Sequence, residues 1–137
     1  SERFDLIALD LNDPMGPAEA LYSVEFFQQC RHALAPGGAL ALHIGSPVAR
    51  SERVGELAQR LNGIFRIVCL YTMYIPLYGS LWAMAVCSDK LDPKAYTADE
   101  IDRRIEHILA ELKHLGLRID EKQAHQLDEN SLNKMVD

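Results

Sequence analysis

The stretch Phe4-Asp5-Leu6-Ile7-Ala8-Leu9-Asp10, followed by Leu11-Asn12-Asp13-Pro14-Met15-Gly16-Pro17, decides the fold. A short apolar run closed by an acid suits a strand buried on both faces, and the Asn, Asp, Gly and Pro that follow it make a loop. Working outward, Ser23 predicts the N-cap of a helix that carries Phe26, Phe27, Cys30 and Leu34 at helical spacing. Pro36-Gly37-Gly38 stops that helix and leads into a second apolar strand, Ala39 to Ile44. Ser51 is the expected cap of a second helix with Val54, Leu57, Ala58 and Leu61 on its apolar face. Two longer strands, about Phe65 to Ile75 and Ser80 to Ser88, flank the short turn Pro76-Leu77-Tyr78-Gly79, which is the spacing of an antiparallel hairpin. Strand, helix, strand, helix, hairpin is the order of an α/β sheet, mostly parallel with an antiparallel edge.

The remainder changes character. Residues 89–137 hold 12 acidic and 8 basic side chains, so −4 of the chain's net charge of −6 lies in this segment. Thr97-Ala98-Asp99-Glu100 is a capping box. Ile101, Ile105, Ile108, Leu109, Leu112 and Leu115 then form one apolar stripe before a stop at Gly116. Two regions are expected, residues 1–90 as the sheet-bearing part and 91–137 as a C-terminal helical extension.

At 137 residues, 48% hydrophobic and 25% charged, the chain has the composition of an ordinary globular domain rather than a disordered, collagenous or disulfide-built one. The acidic surplus disfavours a nucleic-acid partner, which needs a basic face to neutralise phosphates. Cys30, Cys69 and Cys87 are odd in number and sit in apolar stretches, so they read as reduced thiols without metal-ligand spacing. Four of the five histidines, His32, His107, His114 and His125, likewise show no metal-ligand spacing, and no metal is expected. No apolar run reaches about 18 residues and no signal-peptide pattern is present, so the expected location is cytoplasmic, with no membrane partner.

In open parallel sheets ligands bind outside the carboxyl ends of the strands. Asp10 holds that position on the first strand, and Asp13 follows in a loop stiffened by Pro14 and Pro17. Two carboxylates there make a compact negative site for an ammonium group. The alternative is structural: Asp13 organises the Asp-Pro turn and Asp10 caps a backbone amide.

The run from Asp10 to Tyr22 resembles the signature D-x-x-D-P-x-G-P-A-x-x-L-[FY] of the spermidine synthase (polyamine aminopropyltransferase) family. The resemblance continues through Phe26-Phe27, Leu34-Ala35-Pro36-Gly37-Gly38 and Ile75-Pro76-Leu77-Tyr78, covering about residues 3 to 90. It implies a partial Rossmann-like (class I methyltransferase-like) sheet. The activity it implies is transfer of an aminopropyl group from decarboxylated S-adenosylmethionine, a co-substrate rather than a tightly bound cofactor, to a diamine such as putrescine. By resemblance Asp10 is the base and touches the substrate, while Asp13 holds the diamine. Leu11 and Asn12 line the same pocket, and Tyr78 lies near the reacting amine. Pro17 and Ala18 match the stretch that packs on the adenosyl part of the donor.

The chain departs from the family in three places. It has no Gly-rich loop after its first strand and no ribose-binding acid after its second, so it reads as the C-terminal half of the catalytic domain, from the fourth strand onward. Pairing with an N-terminal half, or with a second copy along the free edge of the first strand, is therefore expected. His43 stands where family members commonly have Gln, which makes it a candidate substrate-binding residue or a core-edge histidine. The hairpin turn is one residue shorter than the family's P-T-Y-P-x-G, which leaves the direction of Tyr78 open. A methyltransferase would share the Leu34–Gly38 turn but not Asp13-Pro14-x-Gly16-Pro17, and a non-catalytic module using the helix from 97 to 115 is a third reading.

Overall fold

A computed structural model describes residues 3–11 and 16–115. The chain divides into two compact units, Ser1–Ala95 and Tyr96–Asp137. The first contains β1 (Phe4–Leu9), α1 (Val24–Ala33), β2 (Leu34–Gly45), α2 (Ser51–Asn62), β3 (Ile67–Ile75) and β4 (Ser80–Ser88), with 3₁₀ turns at Gly16–Tyr22, Pro76–Tyr78 and Pro93–Ala95. The second contains α3 (Ala98–His114).

The four strands form one sheet in the order β1-β2-β4-β3. β1 runs parallel to β2, and β4 runs antiparallel to both of its neighbours. The α/β class and the antiparallel hairpin are as expected. Among the described residues, parallel pairing is confined to β1 and β2, because the hairpin turn reverses the chain and β4, not β3, docks on β2. Gly79 makes the reversal possible, with φ of 58° in the left-handed region where a side chain is disfavoured.

α1 begins as expected, with the Ser23 hydroxyl accepting from the Phe26 amide at 3.2 Å. For α2 the expectation is corrected: Ser51 is the first helical residue, Arg50 is the N-cap, and no side chain caps the helix. The turn before it is closed instead by Ser46, whose hydroxyl accepts from the Ala49 amide and whose carbonyl accepts from the Arg50 amide. β2 starts at Leu34 rather than Ala39. Phe4 pairs with Leu34 and Leu6 with Ala39, so Ala35-Pro36-Gly37-Gly38 is accommodated as an irregularity within the ladder instead of preceding it. β3 starts two residues later than expected, since Phe65 is buried in the core ahead of the strand.

Burial follows strand alternation. Leu40, Leu42 and Ile44 of β2 and Ala83, Ala85 and Cys87 of β4 share one face. They join Phe27 and Cys30 of α1 and Leu57 and Leu61 of α2 in the core. Phe27, Leu40 and Leu61 are fully buried, each contributing on the order of 2 kcal/mol of apolar burial. Burial pushes the Cys87 thiol up to about 12, with Cys69 adding to the effect, and raises Cys30 as well, so both buried cysteines are inert packing groups. The opposite face carries Leu6, Tyr71 and Met73, all exposed. β1 forms the edge, with Phe4 exposed too.

In the second unit the capping box is complete: the Thr97 hydroxyl accepts from the Glu100 amide at 3.3 Å, and the Glu100 carboxylate accepts from the Thr97 amide at 2.9 Å. The Arg104 guanidinium lies 4.2 Å from the centre of the Tyr96 ring. Ile101, Ile105 and Ile108 of the expected stripe are exposed. The stop expected at Gly116 lies outside the described residues.

Candidate active site

The parallel and antiparallel pairings bring four strand ends to one end of the sheet. β1 and β2 run side by side to Leu9 and Leu42, so Asp10 leaves the ladder next to His43. His43 is registered with Met84 of β4, Met84 with Tyr71 of β3, and Trp82 with Met73. The carboxyl ends of β1, β2 and β3 thus meet the amino end of β4, the location where α/β sheets bind ligands.

An open cleft of about 460 Å³ lies there, within the first unit. Asp10 and Leu11 form its β1 side, His43 its β2 wall, Met73 and Ile75 come from β3, and Tyr78, Trp82 and Met84 from the hairpin turn and β4. The lining is thus apolar and aromatic, with one carboxylate at its rim. Asp10 is exposed, so water and a cationic ligand both reach it.

The aromatic wall is ordered by contacts. The Tyr78 ring packs 4.8 Å from the Trp82 ring at 46°, and Trp82 lies 6.1 Å from the His43 ring at 45°. The Trp82 indole N–H donates to His43 Nδ1 at 3.3 Å, and His43 Nε2 is hydrogen-bonded to the Leu11 carbonyl. An apolar slot with a tilted aromatic pair and one anionic end suits an alkyl chain with an ammonium terminus.

Of the residues singled out in the sequence, Asp10, Leu11, His43 and Tyr78 come together in this cleft despite the shortened hairpin turn. Asn12 and Asp13 lie outside the described residues. Pro17 and Ala18 belong to the 3₁₀ turn Gly16–Tyr22, and Ala18 is half-buried away from the cleft. Trp82, which the sequence does not single out, also lines the cleft, joined by Met73 and Met84. Alternation along β4 was the available signal, since Trp82 and Met84 take the face opposite the buried Ala83, Ala85 and Cys87. Among the described residues no group of three or more His, Cys, Asp or Glu side chains is placed to hold a metal ion, and no helix is long and apolar enough to cross a membrane.

Comparison with known proteins bears on the family and the fold. The chain is 52% identical over 103 residues to the polyamine aminopropyltransferase of Nitrosomonas europaea, covering 75% of this chain and 32% of that protein. It is 37% identical over 105 residues to polyamine aminopropyltransferase 2 of Hyperthermus butylicus, covering 75% and 34%. The chain therefore spans about a third of the length of these curated relatives. Among solved structures, a spermidine synthase in complex with the transition state analogue AdoDATO superposes with a TM-score of 0.68 at 25% identity, over 74% of this chain and 36% of that one. Spermidine synthase from Thermotoga maritima shares the fold, with a TM-score of 0.62 at 23% identity over 74% and 34%. Residues 1–99 match the spermine/spermidine synthase domain family, and the chain belongs to that family.

Proposed function

We propose that the protein carrying this chain transfers an aminopropyl group from decarboxylated S-adenosylmethionine to a diamine such as putrescine, giving spermidine and 5′-methylthioadenosine. The observation that carries this reading is Asp10, which opens from the end of β1 onto an apolar, aromatic cleft in a chain of this family.

The chemistry asks for such a group. The amine nitrogen attacks the methylene beside the sulfonium, the C–N bond forms, and the C–S bond breaks with its electron pair returning to sulfur as a neutral thioether. An amine of ordinary pKa about 10 is protonated at neutral pH and has no lone pair for attack. Asp10 receives that proton and orients the nitrogen toward the carbon. Asp13, with Leu11 and Asn12 beside it, holds the acceptor through charge-assisted hydrogen bonds. Tyr78 and Trp82 bound the slot for its alkyl chain. Pro17 and Ala18 match the family stretch that packs against the adenosyl part of the donor, whose remaining contacts come from an N-terminal part of the domain, in keeping with the length of the relatives. The free edge of β1, with Phe4 and Leu6 exposed, takes a further strand from that part or from a second copy. Three free thiols suit a reducing, cytoplasmic setting.

The test is incubation of the full-length gene product with decarboxylated S-adenosylmethionine and putrescine, following methylthioadenosine release. Asp10→Asn should lower turnover by at least about a hundredfold. A wild-type protein that forms no methylthioadenosine with any diamine or polyamine refutes the function, and an Asp10→Asn variant of near wild-type rate moves the base elsewhere.

A further inference from the structure

β1 ends at Leu9, the last residue registered with β2, so the Leu11 carbonyl lies beyond the ladder and has no strand among the described residues to accept from. A carbonyl left in that position needs a donor from elsewhere. His43, the next residue on β2 after Leu42, supplies its ring instead of its backbone, through Nε2.

The direction of this hydrogen bond follows from the other ring nitrogen. An indole N–H only donates, so Nδ1, which receives it from Trp82, carries no proton. The single proton of the neutral ring is then on Nε2, and a carbonyl only accepts. Both contacts are satisfied by one tautomer and by no other. Trp82 packs in turn against the Tyr78 ring, tilted at 46° with its centre 4.8 Å away. The end of β1, β2 and β4, distant in sequence, are thereby tied together at Leu11, the residue that immediately follows Asp10. Both ring nitrogens are engaged, so neither is free for an incoming amine.

From this arrangement we propose that His43 is a positioning residue: it fixes the backbone at Leu11, next to Asp10, through the Leu11 carbonyl, with its tautomer set by Trp82, and makes no hydrogen bond to the acceptor's nitrogen. The proposal rests on the aminopropyl-transfer reading for its kinetic consequence only. Misplacing a reacting group by about an ångström costs up to about a hundredfold in rate. In the full-length protein, His43→Leu should therefore lower kcat about 10- to 100-fold and leave the acceptor KM within about threefold. His43→Gln, whose amide N–H reaches in the same direction, should recover most of the lost rate. A His43→Leu variant with raised KM and unchanged kcat, or a His43→Gln variant as impaired as His43→Leu, overturns the proposal. Nitrogen-15 NMR of histidine-labelled protein gives a readout independent of activity and of variant folding. Wild-type His43 should show a protonated, pyrrole-type Nε2 and a pyridine-type Nδ1, with the pair becoming a tautomer mixture in Trp82→Phe. A proton on Nδ1 in the wild type refutes the positioning role even if aminopropyl transfer is measured, and an Nε2–H ring supports it even if none is.

Discussion

Replacing Gly38 by Ala should unseat the strand that carries Asp10. A methyl group built on Gly38 lies 2.8 Å from the Phe4 carbonyl oxygen and 3.1 Å from those of Ala35 and Asp5. Ordinary approach of such a carbon to a carbonyl is about 3.3 Å or more, so β1 must retreat by about half an ångström at Phe4. All three oxygens are backbone atoms, two of them on β1, and none can swing aside as a side-chain end would. Overpacking typically costs 1–3 kcal/mol, and a clash made entirely with backbone belongs at the top of that range, about 3 kcal/mol. At about 3 °C per kcal/mol the melting temperature falls by roughly 10 °C. Gly55 is the control. It is an exposed position inside α2 with nothing within 4 Å of an added Cβ, and Gly55→Ala should raise stability by about 0.5–1 kcal/mol through the entropy of the unfolded chain. Thermal denaturation of the full-length protein followed by circular dichroism measures both. If Gly38→Ala melts within about 3 °C of wild type, or Gly55→Ala melts below it, the close approach of β2 to β1 is not what this geometry implies.

Two further variants probe the end of the sheet opposite the cleft. Ser88 is fully buried, and its hydroxyl donates to the Gly38 carbonyl at 2.8 Å while accepting from the Lys90 and Leu91 amides at 3.2 and 3.0 Å. At about 1 kcal/mol per bond, Ser88→Ala should cost about 3 kcal/mol in urea denaturation, and a loss under 1 kcal/mol would show these groups finding other partners. Asp89 accepts from Arg31 Nε at 2.7 Å and from the Arg66 amide at 3.1 Å. Partial burial opposes its ionisation, but these two donors outweigh it and hold the carboxyl below the ordinary carboxylate range. The pair is half exposed, so Asp89→Asn should cost no more than about 1 kcal/mol at neutral pH. Because the folded-state value is depressed, that difference is present above the unfolded-state pKa of about 3.9 and vanishes as the pH falls through the lower folded value. A difference that grows on acidification would contradict the assignment.

The parts of this molecule that local chemistry determines were readable in the sequence. Ser23 caps α1 and Thr97 with Glu100 caps α3 because each needs only partners three residues away. The apolar run ending at Asp10 marks a strand and the end at which the candidate cleft opens. What escaped the reading depends on distant chain. Leu34 joins β2 because Phe4 lies beside it, which turns a helix-stopping Pro-Gly-Gly into an irregularity inside a strand. Ser51 has the right identity for a cap, yet the turn closed by Ser46 starts the helix one residue earlier. Asp10 and Tyr78 were recognisable as candidate site residues from their motifs, and both line the cleft. The contacts of His43 with Leu11, 32 residues back, and with Trp82, 39 residues ahead, become visible only when the strands are in register.

The placement of Trp82 gives the site an optical signal of its own. It is the only tryptophan in the chain, and it stands in the cleft wall with its indole N–H on a histidine and a tyrosine ring against its face. Indole emission shifts with the polarity around the ring and is quenched by close contact with imidazole. Within this chain the indole fluorescence therefore has a single origin, and it registers occupancy of the candidate cleft and the closing of β4 onto β2, without any label being attached.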